Sequence, residues 1–186
     1  MPFFKSHPPD ANPSNVFGTY PDVYGHWAEM GQKLINGPSP LSPAEREMLQ
    51  AYVAGVADCQ FALIAHAEVA YAMGVEEGLI DKLLADLDTA PIEDRFKPLL
   101  TFAGKLMVTP SNMTQEDADA VFDEGWDEKG LHDVIAITAR MSFMARINEG
   151  HGFTPYSREH AKERAQDRLN KGYVNMYDAL ADEDNE

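Results

Sequence analysis

Apolar residues recur every three to four positions along most of this chain, and the breaks between such stretches fall at proline, glycine and potential capping residues. That spacing lays one apolar stripe along an α-helix and does not suit a half-buried strand, which needs strict alternation. Val23, Trp27, Met30 and Leu34 predict an amphipathic helix that stops at Asn36-Gly37-Pro38, with Gly37 to Leu41 as a turn. Ser42-Pro43-Ala44-Glu45 combines a cap, a proline suited to the first helical position and a Glu able to close a capping box, so a helix runs from Pro43 to about Ala57. Asp58 then caps a second helix that begins near Cys59, carries Phe61, Leu63, Ile64 and Val69, and ends at Gly74.

Further helices are predicted over Glu76 to Leu87 and over Pro91 to Val108, where Phe96, Leu99, Leu100, Ala103, Leu106 and Met107 form one stripe. Thr114-Gln115-Glu116-Asp117 repeats the capping pattern and opens a helix that stops at Gly125. Asp127 starts the last core helix, with Val134, Ile137, Met141, Met144 and Ile147 on one face and its close at Gly150, while Ser157 to Asn170 reads as a charged, surface-lying helix. In the first 21 residues, Pro2, Pro8, Pro9, Pro13 and Pro21 argue against helix, leaving an extended arm that Phe3, Phe4 and Phe17 anchor on the body or on a neighbouring subunit. No stretch alternates with period two and none repeats. The expected fold is therefore all-α: an arm over 1–21, one helical domain over 22–180, and an acidic tail over 181–186.

The chain has 186 residues and is 44% hydrophobic, enough for one domain with a real core. Fifteen Lys and Arg against 31 Asp and Glu give a net charge of −16. A field of that sign repels phosphate backbones and anionic lipid headgroups, so neither nucleic acid nor a membrane surface is an expected partner. With no apolar run near bilayer length and no basic or apolar leader, the expected location is the cytoplasm. Cys59 is the sole cysteine, which rules out an intrachain disulfide and leaves thiol chemistry dependent on an outside thiol or a second subunit.

Cys59 also carries the first candidate chemistry. His66 follows it by seven residues, about two helical turns, so both side chains share one face. A cysteine in the first turn of a helix meets unpaired N–H groups that favour the thiolate, although Asp58 partly opposes this. An imidazole nearby can take the thiol proton or return one to a departing oxygen, with Glu47 on the preceding helix orienting it. Spacing alone is a weak signal, because buried single cysteines and lone histidines usually serve packing. His132 and His151 fall where solvated or capping roles are expected, and His7, His26 and His160 say less. Neither a metal nor a cofactor is expected. Met107, Met141 and Met144 read as core filling, and Arg140 and Arg146 as partners for Glu47, anchors for a substrate carboxylate, or side chains that snorkel.

Leu41-Ser42-Pro43-Ala44-Glu45-Arg46-Glu47, then Cys59, then His66 resembles the signature region of the alkylhydroperoxidase D-like and carboxymuconolactone decarboxylase-like family. That pattern has a Glu followed twelve residues later by Cys-x-x-Cys-x-x-x-His. Glu47, Cys59 and His66 match it, and Ala62 stands where the second Cys belongs. Leu99 to Leu106 with Thr109-Pro110, and Thr114 to Gly125 with the helix to Gly150, extend the resemblance over roughly 23–153, toward the peroxidase-related subgroup.

The resemblance implies a helical domain whose central hairpin carries the motif, a homo-oligomer that is a dimer or a trimer of dimers, and peroxide reduction by the second Cys with the first resolving it. A methyl group at Ala62 cannot do that work. Ala145 likewise replaces an Asn expected before Arg146. Three readings follow: a hydroperoxide-reducing oxidoreductase in which Cys59 acts alone, assisted by His66 and Glu47 and reduced by an external thiol; a carboxymuconolactone decarboxylase-like enzyme using Glu47 and His66 as acid and base on a lactone-like substrate; and an oligomeric binding scaffold without turnover.

Overall fold

The computed structural model describes residues 1–175 and contains, among those residues, nine α-helices, one 3-10 turn and no strand. The predicted acidic tail, Ala181 to Glu186, lies outside the described residues.

At the centre stands a hairpin of α3 (Pro43–Val56) and α4 (Gln60–Ala72), packed against each other along their lengths. Ser42 starts α3 as expected: its Oγ accepts from Glu45 N–H, and Glu45 Oε2 accepts from Ser42 N–H at 2.7 Å. Every residue from Arg46 to Ala54 is buried, so α3 is enclosed on all faces. Around the hairpin, α8 (Glu128–His151) packs on α2 (Pro21–Asn36), α3, α4 and α6 (Phe96–Val108). Its 24 residues span about 36 Å. α5 (Leu79–Ala85) rests on α3, α7 (Gln115–Asp123) on α6, and α9 (Arg158–Lys171) along α4. Among the described residues no helix is long and apolar enough to cross a membrane.

Four local expectations need correction. The first 21 residues are not extended throughout, because Pro13 takes the first position of a short helix, α1 (Pro13–Thr19). Asn12 caps it reciprocally with Asn15, and Val16 and Phe17 are buried against the body. Asp58 does not cap α4. It sits in the left-handed region, φ +54°, where it turns the chain between the hairpin helices, and Cys59 takes the cap position without a side-chain cap bond. α8 runs past Gly150 to His151 and ends on Gly152, whose φ of +68° supplies the left-handed cap. The predicted Glu76 to Leu87 and Pro91 to Val108 helices are shorter, since Gly78 sets the start of α5 and Arg95 precedes α6; Pro98 then falls in the first turn, where its missing N–H costs nothing.

Candidate functional site

Glu47 faces inward from the first turns of α3 and is 1% exposed. A buried carboxylate is stable only when its oxygens are satisfied, and here both are. Oε2 accepts from His66 Nδ1 at 2.7 Å and from Gln50 Nε2 at 3.1 Å, while Oε1 accepts from the Tyr173 hydroxyl at 2.7 Å. Arg168 Nη1 lies 3.7 Å from Oε2 and 3.2 Å from His66 Nδ1. Burial alone raises a carboxyl pKa, but His66, Arg168 and Tyr173 outweigh it and hold Glu47 low, at about 2.

A carboxylate only accepts, so Nδ1 of His66 must carry the hydrogen, and Nε2 keeps a free lone pair. Burial, with Arg168 and Arg140 adding to it, brings His66 down to about 4 against the pull of Glu47. At neutral pH the pair is thus an ionised carboxylate on a neutral, oriented imidazole. Burial likewise pushes the Tyr173 phenol up, so it stays a hydrogen-bond donor.

His66 lines a cavity of about 40 Å³ together with Ala62, Ala65, Met144, Asn148 and Arg168. That is room for a few waters. Asn148 Oδ1 is buried there without a partner, an acceptor available to an occupant. Arg140 closes the wall toward α2: its Nη1 donates to Gln50 Oε1 at 2.7 Å, and its guanidinium lies 4.0 Å from the Trp27 ring centre and 4.8 Å from that of Tyr173. Beyond Trp27 and Arg140, an open groove of about 880 Å³ runs between α2 and α8.

Of the predicted residues, Glu47 and His66 are brought together as expected. Cys59 is not joined to them. It is fully buried, and its sulfur meets Asn148 Nδ2 at 3.7 Å rather than the imidazole. Burial pushes the thiol up, with Glu149 adding to the effect, which opposes the helix-end stabilisation of the thiolate expected from sequence. The residue that lines the cavity beside His66 is instead Ala62. Arg140 reaches Gln50, not Glu47, and Arg146 turns back onto Ser142 at the surface. His132 is exposed, whereas His151 is packed among aromatic rings rather than solvated.

Gln50, Arg168 and Tyr173 were missed from sequence. Gln50 sits one turn after Glu47 on the same face. Arg168 continues the stripe of the buried Ala161 and Ala165, a signal hidden by the many charges of α9. Tyr173 carries no sequence signal beyond its place after Gly172.

Residues 21–91 match the carboxymuconolactone decarboxylase family. Among solved structures, an uncharacterized peroxidase-related protein from Silicibacter sp. TM1040 is 21% identical with a TM-score of 0.73, covering 80% of this chain and 78% of its own. A second, described as an alkylhydroperoxidase AhpD core and uncharacterized peroxidase-related protein from Ralstonia eutropha JMP134, is 20% identical with a TM-score of 0.72, covering 79% and 76%. At such identities the likeness establishes a shared helical fold. No curated protein shows significant sequence similarity to the chain.

Proposed function

We propose that this chain, a member of the carboxymuconolactone decarboxylase and alkylhydroperoxidase D-like family, is an acid–base enzyme in which Glu47 and His66 move a proton on a small, anionic, lactone-like substrate. The observation that carries this reading is the fixed tautomer: Glu47 holds the hydrogen on Nδ1, so Nε2 is a base at neutral pH. Arg168 supplies positive charge beside it, and Asn148 Oδ1 an unused acceptor in the same cavity. None of this requires the sulfur. At about 40 Å³ the cavity has room only for water-sized occupants, so substrate access needs movement of a covering segment.

A second reading is favoured by the peroxidase-related descriptions of both structural neighbours: reduction of a hydroperoxide at Cys59, with an external thiol restoring it. One set of variants separates the two. With carboxylated lactones as substrates, His66→Ala and Glu47→Gln are expected to lower turnover by about a hundredfold or more, and Cys59→Ser to leave it nearly unchanged. Peroxide consumption that disappears in Cys59→Ser, with no lactone turnover in the wild type, would reverse the order. We also propose self-association, which the exposed Val23, Met30, Ile135 and Phe143 around the α2–α8 groove support.

A further inference from the structure

The N-terminal segment reaches the cavity of His66 at Pro13 and is held down at the far end of α8 by a stack of rings. Phe3 N–H donates to His151 O at 2.9 Å, and the Phe3 ring covers Gly152 so closely that a Cβ there would lie 2.7 Å from it. The Phe4 ring centre is 5.1 Å from His7 and 4.6 Å from His151. His7 stacks on His151 at 5.5 Å, and His151 on Phe153 at 5.3 Å with an interplanar angle of 10°. Ten residues further along, Asn12, Pro13 and Ser14 wall a second small cavity beside Arg168, and Pro13 also lines the cavity of His66 and Ala62.

Both histidines bury their Nδ1 without a hydrogen-bond partner. A neutral imidazole tolerates that by placing its hydrogen on Nε2, whereas an imidazolium must donate from both nitrogens. Protonation in the closed state therefore leaves a buried, charged N–H without an acceptor. Two protonated rings at 5.5 Å would in addition repel. The groups packed around the pair offer no relief. Among titratable groups the N-terminal segment sets only His7 against His151, beside the apolar ring of Phe4; the loop after α8 contributes Phe153, and the next ring along, Phe61 of α4, is apolar. Among the described residues neither imidazole has an ion pair with a carboxylate.

We infer that residues 1–14 form an acid-released lid over the Glu47–His66 cavity, latched by the stack of His7 on His151 and the unpartnered Nδ1 atoms buried in it. The inference goes beyond the acid–base reading and does not depend on it. Burial and the neighbouring His7 bring His151 below its ordinary value, which agrees with a closed state that disfavours the proton. The sign follows from linkage: the open segment binds protons more readily than the closed one, so falling pH favours opening.

Hydrogen–deuterium exchange on the full chain, corrected for the intrinsic pH dependence of exchange, tests this at pH 7.5 and 5.5. Protection of residues 1–14 is expected to fall severalfold at the lower pH while α3 stays protected. His7→Phe keeps an aromatic ring and cannot charge, so it should hold the segment closed at both pH values. His7→Arg, charged throughout, should open it already at pH 7.5. The latch is overturned if protection of the segment is the same at both pH values, if His7→Phe retains the wild-type pH dependence, or if α3 loses protection in step with residues 1–14. Because the readout is exchange and not turnover, failure of the latch and failure of the proposed chemistry are distinguishable.

Discussion

At neutral pH one proton, on His66 Nδ1, lies between a buried carboxylate and a buried imidazole, and the consequences for stability can be worked out residue by residue. His66 titrates at about 4 in the folded chain and near its ordinary value of 6.5 when unfolded. Between those pH values the unfolded chain binds a proton that the folded chain does not. Stability is therefore complete above 6.5 and is lost as pH falls toward 4, by about 3 kcal/mol for a fully buried group. Glu47, held at about 2 against 4.5, extends the loss at lower pH in the same direction. Thermal melts across that range should show a falling midpoint, and Glu47→Gln should flatten the lower end. Arg168→Gln removes a cation 3.2 Å from Nδ1, so the His66 resonance is expected to titrate at higher pH than in the wild type. A downward movement would mean that Arg168 does not keep the ring neutral. Cys59 belongs to the opposite class: alkylation by iodoacetamide should be slow, with a midpoint at or above that of a free thiol, because burial disfavours its thiolate. At Ala62, which faces the cavity, Cys adds one sulfur where there is space, so Ala62→Cys should fold and react faster than Cys59.

At the scale of helices, much was legible in the sequence because the signals are local. Ser42, Asp127 and Ser157 each cap the helix that follows, and Asp117 accepts from the Thr114 N–H at the start of α7, since a short polar side chain before an apolar-periodic run has few better uses. Ser42→Ala should cost about 1 kcal/mol in urea unfolding. Where pattern reading failed, the deciding contact was distant. The proline-rich start holds a helix because Phe17 finds a place against Tyr24 and Trp27. Two residues of the candidate site were likewise visible, as Glu47 and His66 lie on adjacent helices of one hairpin. Arg168 and Tyr173 come from the other end of the chain, and nothing local marks them. Packing between elements is also specified by absence of side chain. A Cβ on Gly31 of α2 would stand 2.8 Å from Arg140 Nη2, so the guanidinium could not keep its place between Trp27 and Tyr173. Gly31→Ala is expected to lower stability by about 1–3 kcal/mol and to raise the mobility of Tyr173, seen as broadening of its ring resonances. An unchanged unfolding midpoint would show that Arg140 has another resting position.

For the whole molecule, light scattering at micromolar protein should give a mass above that of one 20.6 kDa chain, lowered by charged substitutions at Met30 or Phe143 in the α2–α8 groove. A monomer mass unchanged by dilution would refute self-association. The Tyr173 hydroxyl binds Glu47 across 126 residues of sequence. During synthesis the hairpin of α3 and α4 emerges early and can pair locally, yet Glu47 then lacks the phenol and the Arg168 charge that complete its shell. A nascent chain halted before α9 would carry a half-satisfied buried carboxylate, a state that favours partial opening over a closed core. The site is thus finished only when nearly the whole described chain has arrived, which ties any activity of the dyad to completed translation and folding.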